Sequence, residues 1–237
     1  MEAKRQKLRT AIYIDGYNLY YGRLRGSSYK WLDVVALFQH IVHTIAPESE
    51  VQAVRFFTAP ALARFARHGD QSMIAQNEYH RALENKYPGL FTKILGSHVF
   101  EKDGTELPRF VTGRPFDRSD SVRVWRLVEK KTDVNLAIRM YRDAVSGHYD
   151  QLVLVSNDSD AEPVLEAITQ DFPAMRIGVV MPISPPDPAR KGRPSSASLS
   201  GLAHWTRDYI RDDELAKCQL PEIVPTRKKS ARKPAHW

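Results

Sequence analysis

The sequence predicts an α/β domain built around a mainly parallel sheet. Short apolar runs alternate with longer amphipathic stretches along most of the chain, the pattern of successive βα units. One run, residues 152–155 (Leu-Val-Leu-Val), is continuously apolar, as a strand covered on both faces must be. The length of 237 residues suits one such domain with an appendage.

Residues 10–14 form a buried first strand that ends at Asp15-Gly16. After a loop through residues 25–30, residues 32–45 carry Val34, Val35, Phe38, Ile41, Val42 and Ile45 at helical spacing, and Pro47 closes the helix. A second strand over 51–57 stops at Pro60. A polar helix over about 70–87 stops at Pro88-Gly89, and 90–95 is a third strand. Residues 101–120 read as irregular, because Gly104, Pro108, Gly113 and Pro115 break any period. Residues 122–128 are a further strand leading into a helix over 133–145, with Thr132 as its N-cap and Gly147 as its stop. The strand 152–155, a helix over 161–170 and a strand over 176–181 follow. Residues 182–198, rich in Pro, Ser, Lys and Arg, read as a mobile loop. A helix over 199–205, a strand over 206–210 and a short helix near 212–218 complete the ordered part. The basic tail from Pro225, with Arg227, Lys228, Lys229, Arg232 and Lys233, reads as unstructured. The expected organisation is one domain over residues 9–210, then a C-terminal helix and tail over 211–237.

The formal net charge of +7 makes a polyanion a natural partner without proving one. Cys218 is the only cysteine, so neither an intrachain disulfide nor a cysteine metal cluster is available. No apolar run approaches the roughly 20 residues of a membrane span. The basic start, residues 1–9, precedes an apolar stretch too short for a signal peptide. A soluble, cytoplasmic protein is the simplest expectation.

Ligands in doubly wound sheets bind beyond the carboxyl ends of the strands. Acids fall at the places this rule selects. Asp15 ends the first strand, with Asn18 three residues later. Asp158 and Asp160 follow the strand 152–155, in Ser156-Asn157-Asp158-Ser159-Asp160. Asp133 opens a helix on a stripe shared with Leu136, Ala137, Met140 and Ala144, which turns it toward the sheet edge. Two carboxylates about 4 Å apart repel by roughly 4 kcal/mol at an effective dielectric near 20. Such a group either takes up protons or recruits a cation. Oxygen-only donors suit Mg²⁺ or Mn²⁺ rather than zinc, and an ion there could assist phosphodiester hydrolysis. Each acid also has a local reading: Asp15-Gly16 as a turn, and Asp133, Asp158 and Asp160 as helix caps or first-turn acids. The coincidence of all of them is what the local readings leave unexplained.

Three runs carry a resemblance. Ile12 to Leu19 (IYIDGYNL), Glu129 to Ala137 (EKKTDVNLA) and Leu154 to Asp160 (LVSNDSD) resemble, in order, the signature segments of the NYN domain family within the PIN-like nuclease superfamily. The likeness spans roughly residues 9–205. It implies a three-layer, doubly wound sheet of about five strands with helices on both faces. It also implies Asp15, Asp133, Asp158 and Asp160 as catalytic, metal-binding acids, with Asn18 and Ser156 in support. The family usually has Gly where Lys131 stands, and often Gly at Asn157 and an aromatic at Ala161. These departures touch the loops and leave the acids in place.

Lys130, Lys131, Arg123 and Arg126 flank the acids in sequence, either to hold a phosphate backbone or as a solvated basic face. Tyr17, Tyr20 and Tyr21 are candidates to stack on bases or to pack locally. The expectation is therefore a Mg²⁺- or Mn²⁺-dependent ribonuclease acting on RNA, with homodimerisation an open possibility. The alternative is a non-catalytic RNA- or partner-binding module that keeps an acidic pocket. A haloacid-dehalogenase-type phosphatase fits poorly, because the second aspartate it needs is replaced by Tyr17. No Gly-rich dinucleotide fingerprint follows the first strand.

Overall fold

A computed structural model describes residues 7–189, 192–227 and 229–237. Six strands form one sheet in the order β3-β2-β1-β6-β7-β8: β1 (Leu8–Asp15), β2 (Ser49–Thr58), β3 (Phe91–Leu95), β6 (Gln151–Val155), β7 (Arg176–Val180) and β8 (Trp205–Arg207). Every adjacent pair is parallel. Alternation along β1 sends Ile12 and Ile14 to one face and Ala11 and Tyr13 to the other. Helices α2 (Val34–Ile45) and α3 (Asp70–Lys86) cover the first face, with Val35, Phe38, Val42, Tyr79 and Leu83 in its core. Helices α4 (Thr132–Ser146) and α5 (Glu162–Asp171) cover the second through Leu136, Met140, Leu165 and Ile168. The result is the expected three-layer, mainly parallel α/β architecture, with the short edge strand β8 as a sixth strand beside the five implied.

The chain runs outward from β1 through β2 to β3, then returns to the other side of β1 with β6. The order therefore reverses between β1 and β6. Their carboxyl ends lie side by side, with Ile14 opposite Val155. A switch point of this kind leaves a crevice at the strand ends, and Asp15 and Ser156 are the next residues out.

A buried polar cluster fixes α4 against the sheet. The Tyr13 hydroxyl donates to Asp143 Oδ2 at 2.7 Å, and Arg55 Nε stands 2.7 Å from the same oxygen. Arg139 reaches it from one helical turn earlier at 3.2 Å. The helix that carries Asp133 is thus anchored at its far end to both β1 and β2.

Four expectations change. Residues 101–120 do not form an irregular insert. Strands β4 (Ser97–Pro108) and β5 (Ser121–Lys130) pair antiparallel into a long two-stranded arm between β3 and α4. Cross-strand apolar pairs such as Val99 with Val128 and Leu107 with Val122 form it. Gly104 sits at φ +80° where the register shifts, and Gly113 and Pro115 lie in the connecting turn. The breakers were real, but they mark a bulge and a turn. The tail from Pro225 is also structured: β9 (Ile223–Val224) pairs with β10 (Ala231–Arg232), and Val224 and Ala231 are buried. Trp237 meets Trp31 and Tyr79 edge-on or tilted at 6.2 and 5.7 Å. Three apolar residues dock this segment, and its basic composition hid them; Lys228 lies outside the described residues, as do residues 1–6 of the basic start. The segment 182–198 is not free either. Met181, Pro182 and Ile183 are buried, and a short helix α6 (Ala197–Gly201) begins at Ala197, capped by Ser196, rather than at 199. Residues 190 and 191 are outside the described set. Finally, α4 starts at Thr132 with Lys131, not Thr132, at the N-cap position. A last helix, α7 (Asp212–Lys217), falls where expected. No helix among the described residues is long and apolar enough to cross a membrane.

Candidate functional site

Asp15 is pinned at the end of β1 by its surroundings. Its Oδ1 accepts from the Asn18 backbone N–H at 2.9 Å, capping the short helix α1 (Gly16–Leu19), and its Oδ2 accepts from the Ser156 hydroxyl at 3.1 Å. Gly16 is required there, because a Cβ would lie 2.7 Å from the Phe57 carbonyl oxygen. Beyond α1 the chain continues as a π-helical turn, Tyr20–Leu24, a form that recurs near functional sites. Burial pushes the Asp15 carboxyl up to about 6; the bonds from Asn18 and Ser156 oppose this, while Asp133 and Asp158 add to it.

The second strand end is built on the same network. The Asn18 side-chain oxygen accepts from the Asn157 N–H at 3.0 Å, and Ser156 Oγ accepts from the Asp158 N–H at 3.1 Å. Asp158 in turn caps the 3₁₀ turn Ser159–Ala161, accepting from the Asp160 N–H at 3.3 Å. The local capping role is therefore present, yet it leaves Asp158 and Asp160 electrostatically coupled to Asp133. The Asp133 carboxyl is raised by burial, then by Asp158 and Asp160. It stands in the first turn of α4 and keeps solvent contact.

A fifth acid, Glu129, joins them from the end of β5. Burial raises its pKa, and Asp133 and Asp15 raise it further despite an opposing contribution from Thr132. Its Oε1 is buried with no hydrogen-bond partner. The alternation along 122–128 carried the signal that residue 129 points the same way as Leu127, but in the sequence Glu129 stood only as the first residue of the run 129–137, with no role assigned. Asn157 was missed as well. Its side chain donates to the Pro194 carbonyl at 2.9 Å and accepts from the Ser196 N–H at 2.8 Å, and Arg193 donates to its carbonyl at 3.2 Å. A glycine at 157 could make neither side-chain bond. The amide thus ties residues 194 and 196 to the chain just past β6, and nothing in the local sequence announced it.

The four cations are split. Lys130 and Lys131 stand beside Asp133 at the root of the arm, both exposed. Arg123 and Arg126 lie farther out on β5, where alternation places them on opposite faces, and Arg123 pairs with Glu106 at 3.6 Å. Lys131 has φ +76°, the sole non-glycine with positive φ among the described residues. A glycine would adopt this conformation without strain. Of the tyrosines, Tyr17 is held by His98 Nε2 at 3.0 Å and stacks on Tyr21 at 6.0 Å. Tyr21 remains 57% exposed.

The donor set fits a hard divalent cation in kind: five carboxylates, mutual repulsion, and one buried carboxylate oxygen without a partner. In the geometry described, no three or more His, Cys, Asp or Glu side chains are already gathered into a ready metal-holding group among the described residues. Ligation would require the exposed members, Asp133 and Asp160, to turn inward. Asp15 and Glu129 supply the fixed part.

Comparison with known proteins agrees with the fold and divides on chemistry. The model of the NYN domain matches residues 101–182. A 6-hydroxy-3-succinoylpyridine 3-monooxygenase of Pseudomonas putida is 38% identical over 246 aligned positions, covering 98% of this chain and 76% of that protein. A solved structure of a protein of unknown function from Vibrio parahaemolyticus superimposes with a TM-score of 0.50 at 20% identity, over 90% of this chain and 98% of the other. That last likeness concerns the fold alone. Together with the three signature runs meeting at one sheet edge, these matches show that the chain belongs to the NYN domain family.

Proposed function

We propose that this protein is a Mg²⁺- or Mn²⁺-dependent ribonuclease whose reaction centre is the acidic crevice between β1 and β6. One observation carries the reading: three separate stretches bring acids to the ends of β1 and β6, where Ser156 bonds both Asp15 and the Asp158 N–H, and where burial and neighbouring acids raise the carboxyls of Asp15, Glu129 and Asp133. Isolated caps would not be coupled in this way. The ion would neutralise the phosphodiester and acidify an attacking water when bound. The chain's own residues do the positioning. Asn18 and Ser156 hold Asp15 in one rotamer, Ser156 also orients the 158–160 turn, and Asn157 fastens the 194–196 backbone beside that turn. Lys130 and Lys131 present positive charge to the backbone of an approaching strand.

A second reading comes from the Pseudomonas putida relative, whose name denotes hydroxylation of a pyridine ring. Monooxygenation needs a redox partner for oxygen. The β1 turn, Asp15-Gly16-Tyr17-Asn18, has no Gly-rich dinucleotide fingerprint, and the five acids are hard oxygen donors, with His98 the imidazole across from Glu129.

The deciding experiment incubates purified protein with single-stranded RNA and Mn²⁺, alongside Asp158→Asn. Cleavage that falls at least about 100-fold in the variant, with its circular dichroism unchanged, supports the nuclease. Equal cleavage by both proteins assigns the activity to a contaminant. Oxygen uptake dependent on 6-hydroxy-3-succinoylpyridine and a reduced nicotinamide, without RNA cleavage, replaces it with the second reading.

A further inference from the structure

The β4–β5 arm presents large apolar side chains to solvent: Phe110 is 89% exposed, Phe116 81% and Trp125 78%. Three large aromatics on one arm are left in water, and exposed apolar side chains of this kind mark an interaction surface. We propose that the arm is a stacking platform for the unpaired bases of a single-stranded RNA, with Trp125 as its principal contact. This inference rests on the ribonuclease reading and names how the same site would receive its substrate.

Three features select that occupant. First, β5 is continuous from Ser121 to Lys130, so side chains two apart share a face. Trp125, Leu127 and Glu129 therefore form one row, and Trp125 lies about 13 Å along the strand from Glu129. A strand stacked on Trp125 would have its backbone led toward the acids. Second, the register shift in β4 falls between Glu101 and Thr105, opposite Trp125. Bulges re-aim side chains and leave a strand edge unfit for pairing. With Pro108 on the same strand, this disfavours docking of a second copy edge to edge. Third, arginines interleave with the aromatics. Arg109 and Arg123 are ion-paired within the arm, whereas Arg114, Arg118 and Arg126 are exposed and have no ion pair among the described residues. Aromatic faces alternating with guanidinium groups suit bases joined by phosphates.

The arm's charge is nearly balanced. Residues 97–130 hold Lys102, Arg109, Arg114, Arg118, Arg123, Arg126 and Lys130 against Glu101, Asp103, Glu106, Asp117, Asp120 and Glu129. Stacking, more than counterion release, must then carry the affinity, and its salt dependence will be shallow.

The test measures binding of a fluorescein-labelled oligouridylate to the full chain in EDTA, by anisotropy at several salt concentrations, for wild type, Trp125→Ala and Trp125→Phe. Trp125→Ala is expected to weaken binding about tenfold with little change in salt slope, and Trp125→Phe to restore most of it. Unchanged affinity in Trp125→Ala overturns the proposal. So does sedimentation showing a wild-type dimer that this substitution dissociates while RNA affinity stays the same. If the expected weakening appears but no metal supports cleavage, the platform stands and the nuclease reading falls.

Discussion

The acidic crevice and the β4–β5 arm adjoin, yet they are organised in opposite ways. In the crevice, charge is buried: Asp15 is 6% exposed and accepts two hydrogen bonds. On the arm, apolar surface is exposed, and the pairing of two consecutive strands holds it together. The first arrangement needs the whole sheet, because its members come from residues 15, 129, 133 and 158. The second needs only two consecutive strands folded back on each other. Both run against the ordinary preference for apolar groups inside and charges outside, and Glu129 at the end of β5 joins one to the other. Departures from that preference that converge on one crevice point to function more strongly than either alone.

If tertiary structure alone holds the crevice, cutting its anchor should have the largest effect. Asp143 joins Tyr13, Arg55 and Arg139 beneath α4, and Asp143→Ala would leave the Arg55 charge buried and unpaired. A loss of about 3–5 kcal/mol in chemical denaturation is expected. A loss below about 1 kcal/mol would mean that the helix is held by apolar packing and that the crevice does not depend on this cluster.

The buried charge at Asp15 should make the crevice a stability cost that the arm does not share. The carboxyl has a reference value of 3.8 and rises to about 6 in the fold. The folded protein thus retains this proton in a range where the unfolded chain has lost it. The resulting stabilisation is full below about 3.8 and is lost as pH rises through 6. Asp15→Asn, measured in EDTA, should therefore be more stable than wild type by about 2 kcal/mol at pH 8, with the gap shrinking toward pH 5. His80 acts in the opposite sense. Burial, with Lys93, holds it near 3, so acidification below its usual 6.5 favours unfolding. Only the difference between variant and wild type isolates Asp15. A variant less stable than wild type at pH 8 would show that its hydrogen bonds outweigh the burial of charge.

The smallest effect is expected where arm and crevice join. Lys131→Gly relieves a left-handed backbone at the start of α4, and a gain of about 1 kcal/mol in thermal denaturation is expected. A loss would indicate that the Lys131 side chain holds the junction through contacts worth more than the strain. Gly96 marks the same junction from the other side, where a Cβ would lie 2.2 Å from Thr132 Oγ1.

Hydrophobic periodicity made the layers readable: strands near 10–14, 51–57, 90–95, 152–155 and 176–181 and the four main helices depend on short-range patterns that burial imposes directly. The positions of Asp15, Asp158 and Asp160 at strand ends and of Asp133 in the first turn of α4 were legible, because the same periodicity that marks an element marks its end. The arm was not, since Gly104, Gly113 and Pro115 look alike whether they interrupt a coil or shape a bulge and a turn. Only pairing between residues far apart in sequence, from Pro108 with Ser121 out to Ser97 with Lys130, distinguishes these cases, and it contributes no local period. Glu129, Asn157 and the docked tail were decided in the same way, by neighbours remote in sequence. Local chemistry therefore set which elements form and which acids lie at strand ends. The register of β4 on β5 and the approach of residues 194–196 to Asn157 decided what surrounds those acids, because those contacts exist only after the chain has folded back on itself.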